Sequence, residues 1–220
     1  MADDPAPRDA WLAGDAPADP LPRLRAWLDE AHADPGVAEP DAATLASVDP
    51  SGRPSARVVL VRALDLERGA ALFYTNRNSR KGRALATNPF ASLVLYWDRL
   101  ARQIRLEGPV TLTSDAESDA YFSSRHPDSR LGAWASDQSE AIASRAELVA
   151  RYEATKARFG DGSGAPRPPH WGGYRLWLER VELWASRPHR LHDRVAWQRD
   201  LARDGDGFRG GMWRATRLMP

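Results

Sequence analysis

The chain has 220 residues, 42% hydrophobic and 28% charged, which suits one substantial domain, or at most two small ones, with a real core. It has no cysteine, so disulfides, thiolate nucleophiles and Cys-ligated metals are excluded, and no apolar run nears the ~20 residues that span a bilayer. The net charge of +1 hides a division: residues 1–50 hold eleven acids against three arginines (−8), and residues 51–220 hold 28 bases against 19 acids (+9).

The first eighteen residues, rich in Ala, Asp and Pro, read as a flexible acidic arm, and residues 19–220 as one domain. Asp19-Pro20 is an N-cap and first-turn pair, and Leu21, Leu24, Trp27, Leu28 and Ala31 continue at helical spacing. From Ala43 the period changes to that of strands. The spans 43–48 and 55–64 form a hairpin about Asp49-Pro50-Ser51-Gly52, and 70–75 is a third strand. A short helix over 78–88 stops at Pro89, a fourth strand runs over 91–97, and 102–113 alternates as a half-buried fifth. Ser114-Asp-Ala-Glu117 is a capping box that starts a helix bearing Tyr121 and Phe122, and 144–159 is a second amphipathic helix. After a Gly/Pro linker, strands are expected over 173–184, 195–199 and 212–218. Short strands and tight turns favour a mainly β, antiparallel barrel with a helical insertion.

A basic body calls for an anionic partner. Arg57 and Arg62 bracket an apolar strand, and their five-residue offset puts them on opposite faces unless a bulge re-aims one. Ordinary surface charge is the plainer reading of the pair alone, and an anion-reading role needs a second such element nearby. Tyr74-Thr75-Asn76, followed by Ser79-Arg80-Lys81-Gly82, leads a strand end into a basic first helical turn, an arrangement phosphate favours. Solvated basic residues are the plainer reading, since no glycine-rich phosphate loop is present. Arg125 to Ser129 and Gly132 to Ser139 are dense in side-chain donors. The stretch from Trp184 to Arg194 is the most cationic. Its His189 and His192, set among arginines, make a poor metal site, and adjacent His192 and Asp193 point to opposite faces of a strand.

Taken together, these segments resemble the pyridoxamine 5′-phosphate oxidase family in order and spacing. The segments are Arg57–Arg62, Phe73-Tyr-Thr-Asn76, Ser79-Arg-Lys81, Arg102-Gln103, Tyr121-Phe122, Arg125 to Ser139, His170-Trp-Gly-Gly173, Trp184, Arg190-Leu-His-Asp-Arg194 and Arg217-Leu-Met-Pro220. The match spans about Asp19 to Pro220. It implies an FMN-binding split β-barrel, a single domain, and a homodimer with FMN between subunits; the absence of cysteine makes a reducing cytoplasm the simplest expected home. It implies FMN contacts at Arg57, Val58, Val59, Leu60, Val61, Arg62, Tyr74, Thr75, Arg80, Lys81, Gln103, Gln138, Ser139, Trp184 and Arg194. Substrate contacts would fall to Arg62, Tyr121, Arg125, Ser129, Arg190 and His192, the last two also serving as catalytic residues, with no metal and no nucleic acid. The implied activity belongs to vitamin B6 metabolism: oxidation of pyridoxamine or pyridoxine 5′-phosphate to pyridoxal 5′-phosphate by hydride transfer to flavin. O₂ would reoxidise the flavin and give H₂O₂.

Three departures stand out. Position 62 is Arg where the family usually has Lys, which exchanges a point charge for a planar fork. Leu95-Tyr96-Trp97-Asp98 lacks the expected proline and histidine and looks closer to phenazine-pathway flavin oxidases, the rival reading beside a non-catalytic flavin carrier. Arg8 and Trp11 echo an Arg-x-x-Tyr lid element in spacing only.

Overall fold

Apolar residues at helical spacing make α1 (Leu21–Ala33), which buries Leu21, Leu24, Trp27, Leu28 and Ala31. Asp19 accepts the Leu21 N–H at 2.9 Å and so begins it. The computed structural model describes residues 9–12 and 14–220; Arg8, and with it half of the lid-like element, lies outside the described residues. Asp9–Leu12 depart from the expected flexible arm. Leu12 is fully buried, Trp11 packs against Trp27 and Trp197, and Asp9 accepts Trp27 Nε1–H at 2.9 Å and pairs with Arg102 at 2.8 Å. A buried guanidinium with carboxylate partners fixes this segment against the body.

Strands β1 (Ala42–Val48), β2 (Pro54–Leu60), β3 (Ala63–Asp65), β4 (Ala70–Asn76), β5 (Phe90–Trp97) and β6 (Arg102–Leu112) follow. The helix α2 (Arg80–Thr87) sits between β4 and β5, and α3 (Asp115–Ser124), α4 (Pro127–Ala135) and α5 (Arg145–Phe159) follow β6. The chain closes with β7 (Trp171–Trp177), β8 (Arg180–Ala185), β9 (Asp193–Gln198), β10 (Leu201–Asp204), β11 (Gly207–Gly210) and β12 (Arg214–Arg217). The large sheet runs β12-β9-β8-β6-β5-β1-β2, all antiparallel, and β7 leaves it from the far half of β6 to carry β4 and then β3.

That branch is what curls the sheet. Residues 102–107 of β6 pair with β8, and 110–112 pair with β7. Between them Gly108 has φ 156° and its missing Cβ faces the Trp177 carbonyl at 2.0 Å, so only glycine lets one strand serve both halves. The curled sheet encloses Leu45, Phe73, Leu93, Ile104, Leu106, Leu176, Val181, Leu183 and Trp197, and the buried face of α1 joins the same core. The fold is thus mainly β, a half-barrel with helices, as the sequence predicts.

Three elements differ from expectation. The strand predicted over 55–64 breaks: after β2 the Val61 N–H goes to Asp41 and the Arg62 N–H to Leu72, so the chain crosses from β1 to β4. The strand predicted over 173–184 is two strands meeting at Leu178-Glu179. The helix predicted as amphipathic, α5, buries none of its residues, and Leu148 and Val149 stay exposed.

Candidate active site

A cavity of about 410 Å³ opens where the end of β2, the end of β4, the start of α2, and α3–α4 meet β7. Arg62, Lys81 and Arg125 line it, and no carboxylate does among the described residues. Lys81 and Arg125 have no carboxylate partner among the described residues, so the pocket carries net positive charge in partly desolvated surroundings, which suits an anion.

At one end stands Lys81. Ser79 caps α2, accepting the Gly82 N–H at 3.3 Å, donating to the Asn76 carbonyl at 2.7 Å and accepting Lys81 Nζ at 3.1 Å. Gln138 Oε1 takes Lys81 Nζ at 2.6 Å and the Thr75 hydroxyl at 3.2 Å, tying the α4–α5 loop to β4 and α2. Burial, and then the neighbouring Arg57, push Lys81 down to about 8. Arg57 is itself lowered by burial and by Arg80, and bonds Ser47 Oγ at 2.8 Å and the Leu45 carbonyl at 3.2 Å rather than a carboxylate. Arg80 has Asp49 at 3.8 Å. Three cations therefore gather at the N-terminus of α2 with one acid beside them.

At the other end are Arg125 and Arg62, with Tyr121 on α3. Burial lowers the Arg125 pKa, and Arg62 and Arg130 add to the effect. Its Nη1 is buried with no hydrogen-bond partner among the described residues. Arg62 lies 3.6 Å from Asp41. Tyr74, Tyr121 and Trp171 form a wall of near-parallel rings, with Tyr74 and Tyr121 centroids 3.9 Å apart. Gly173 permits this, since a Cβ there would stand 2.7 Å from the Tyr74 ring.

Of the residues predicted for this site, Val58, Val59, Leu60, Arg62, Tyr74, Thr75, Lys81, Tyr121, Arg125 and Gln138 line the one cavity. Val61 turns into the core and Arg57 and Arg80 stand behind Lys81. Ser129 and Ser139 are exposed beside it; Ser129 is one turn before the lining residues Gly132 and Ala133 on α4, and Ser139 has φ 78°. Gln103, Trp184, Arg190, His192 and Arg194 do not line it. Register instead sets Gln103 opposite Trp184 and Trp184 opposite Arg194, one row across β6, β8 and β9. His192 lies against Trp184 at 4.6 Å, its Nδ1 accepting the Arg187 N–H at 3.1 Å. Asp193 pairs with Arg187, not with His192. Arg190 and His189 both adopt left-handed φ, 63° and 58°, in the β8–β9 turn, a strain that collects at working sites.

Trp171, Asn76 and Ser136 line the cavity without having been assigned to it from sequence. The His170-Trp-Gly-Gly173 run was the visible signal for Trp171. Glu182, 1% exposed, holds Arg194 and Arg105, a role that only strand register reveals.

The sequence matches the family model described as pyridoxamine 5′-phosphate oxidase over residues 28–159, and the pyridoxine 5′-phosphate oxidase C-terminal dimerisation region over 171–220. Proteins named pyridoxine/pyridoxamine 5′-phosphate oxidase from Burkholderia mallei (strain SAVP1) and Burkholderia thailandensis are 51% and 50% identical, covering 94% of this chain and 92% of theirs. The crystal structure of PhzG from Burkholderia lata 383, in complex with tetrahydrophenazine-1-carboxylic acid, superposes with a TM-score of 0.80 at 34% identity, covering 94% of this chain and 95% of that one. A pyridoxamine 5′-phosphate oxidase-related, FMN binding protein from Nostoc punctiforme PCC 73102 shares the fold, with a TM-score of 0.70 at 18% identity, covering 94% and 100%. With both halves of the chain matched and half of its residues identical to those of curated relatives, the protein belongs to the pyridoxamine 5′-phosphate oxidase family.

Proposed function

We propose that the protein is a homodimeric oxidase that converts pyridoxamine and pyridoxine 5′-phosphates to pyridoxal 5′-phosphate with bound FMN. The observation that carries this is the cavity itself: cations at both ends, an unpartnered buried Arg125 Nη1, aromatic walls, and no lining carboxylate among the described residues. Two phosphorylated aromatic molecules, cofactor and substrate, fit that donor set.

In this reading Lys81, with Arg57 and Arg80 behind it, holds the cofactor phosphate, and Thr75 and Gln138 fix the lysine. Arg62, Tyr121, Arg125 and Ser129 take the substrate phosphate. When bound, FMN supplies a two-electron acceptor that passes its electrons to O₂ and yields H₂O₂. Gln103, Trp184, Arg190, His192 and Arg194 reach the site from a second copy of the chain. Support for this is that all five lie off the cavity, and four of them lie in the segment matched to the dimerisation region. Arg190 orients the substrate ring. His192, with Nδ1 engaged as acceptor, offers an Nε2–H donor; taking a substrate proton there requires it to surrender the Arg187 N–H.

The PhzG likeness and Leu95-Tyr96-Trp97-Asp98 favour a second reading, a flavin oxidase of an aromatic substrate without phosphate. The purified protein distinguishes the two. A yellow flavin spectrum and H₂O₂ release under air with pyridoxine or pyridoxamine 5′-phosphate are expected. Flavin without peroxide from either substrate would favour the second reading, and no flavin would remove both.

A further inference from the structure

We propose that Trp171 is a positioning residue for Arg125 and, through it, determines the preference for a phosphorylated substrate; this rests on reading the Arg125 end of the cavity as the substrate-phosphate subsite.

The arginines around the helical insertion are held in two ways. Arg167 has Asp115 and Asp119 at 2.9 and 2.6 Å, and Arg175 has Glu117 at 2.5 Å. Arg125 has no carboxylate within salt-bridge distance among the described residues, and its Nη1 is buried and unpartnered. What holds it is aromatic: its guanidinium carbon lies 4.7 Å from the Trp171 ring centroid and 5.5 Å from that of Phe122. Those two rings meet edge to face, 5.0 Å apart, and form two walls of a corner. A carboxylate partner would occupy the N–H donors and cancel the charge. A π-face orients a guanidinium while leaving both for an incoming anion.

Trp171 is suited to be the fixed member. It is 6% exposed, its N–H bonds the Pro168 carbonyl at 3.0 Å, and its own carbonyl takes Arg167 Nη1 at 2.7 Å. Its ring lies nearly parallel to those of Tyr74 and Tyr121, at 12° and 5°. The Arg167 that its two aspartates immobilise thus anchors the backbone of the residue that orients Arg125.

The test uses the flavin-loaded dimer and its Trp171→Phe and Trp171→Leu variants. The readouts are kcat, KM for pyridoxamine 5′-phosphate, and the dissociation constants of pyridoxal 5′-phosphate and FMN. In Trp171→Leu, KM and the pyridoxal 5′-phosphate constant are expected to rise about tenfold, more than kcat or FMN affinity changes. Trp171→Phe, which keeps a weaker π-face, should fall between. An unchanged KM in folded Trp171→Leu, equal losses in both variants, or parallel loss of FMN and product affinity would overturn the proposal. If Trp171→Leu does not fold, Phe and Tyr replacements carry the comparison. If the wild type oxidises neither B6 phosphate, the parent reading falls separately. Thermal stabilisation by inorganic phosphate then tests the pair: its loss in Trp171→Leu, with a smaller loss in Trp171→Phe, supports the proposal, and its full retention in Trp171→Leu refutes it.

Discussion

Glu182 accepts both Nε and Nη2 of Arg194 on one carboxylate oxygen, at 3.0 and 2.8 Å, and takes Arg105 on the other at 3.2 Å. Arg105 also pairs with Glu107. Removing the buried Glu182 strands Arg194 and leaves Arg105 with Glu107 alone, although water reaches both guanidiniums in part and offsets some of the cost. Glu182→Ala is expected to lose about 2 kcal/mol, read from the urea midpoint, and Glu182→Gln less. No change in either would mean the triad is energetically idle.

Lys81 gives a pH dependence. Its folded pKa of about 8 lies below the ~10.4 of a free lysine, so the fold disfavours the charged form. Its contribution to stability is therefore least favourable below about 8 and recovers as pH rises from there toward the free value. A phosphate beside it reverses the preference. From about pH 6, above which the phosphate is a dianion, FMN affinity should hold to about pH 8 and then fall by up to about tenfold per unit, and Lys81→Arg should flatten the fall. Fluorescence titration of FMN checks this; a wild-type curve as flat as the variant's would remove Lys81 from the phosphate site.

Gly173→Ala places a Cβ 2.5 Å from Thr113 Oγ1 and 2.7 Å from the Tyr74 ring. Overpacking there should cost about 1–3 kcal/mol and tilt Tyr74 away from Tyr121. A lowered Tm with an altered near-ultraviolet circular dichroism spectrum is the expected result. Wild-type values for both would show that the stack tolerates the methyl.

Arg190 sits in a left-handed conformation that costs a non-glycine residue about 1–2 kcal/mol. Arg190→Gly should accordingly gain stability, while Arg190→Ala and Arg190→Gly both lose turnover by about a hundredfold or more and keep most of their FMN. Equal loss of turnover and flavin would sink the orienting role.

The sheet was legible where one face is wet. The alternation of β6, with Ile104 and Leu106 inward, identifies it directly. In β7 every residue is buried, and the apolar alternation of Tyr174, Leu176 and Leu178 resumes at Val181 and Leu183 with only a slip of phase, so the turn before β8 passed as continuous strand. The β10–β11 hairpin has four residues in each strand and only Leu201 and Phe208, the latter edge-on to Trp177, as large apolar side chains, too few to show a period. Within the site, Tyr74, Thr75, Lys81, Tyr121 and Arg125 could be placed by motif order. The row of Gln103, Trp184 and Arg194 depends on register between distant strands, and Trp171 on ring geometry. Neither has a periodic signal.

The acidic first fifty residues meet the arginine body in space. Asp9 and Glu30 hold Arg102, Asp34 holds Arg99, Asp41 holds Arg62, and Asp49 stands by Arg80. Before folding, these charges form two blocks on one chain, a polyampholyte whose ends attract across long loops. Screening shortens that reach from ~10 Å at 0.1 M salt to ~3 Å at 1 M, whereas the buried Asp9–Arg102 contact is shielded from solvent ions. Molar salt should thus slow collapse of the unfolded chain far more than it hastens unfolding of the native one.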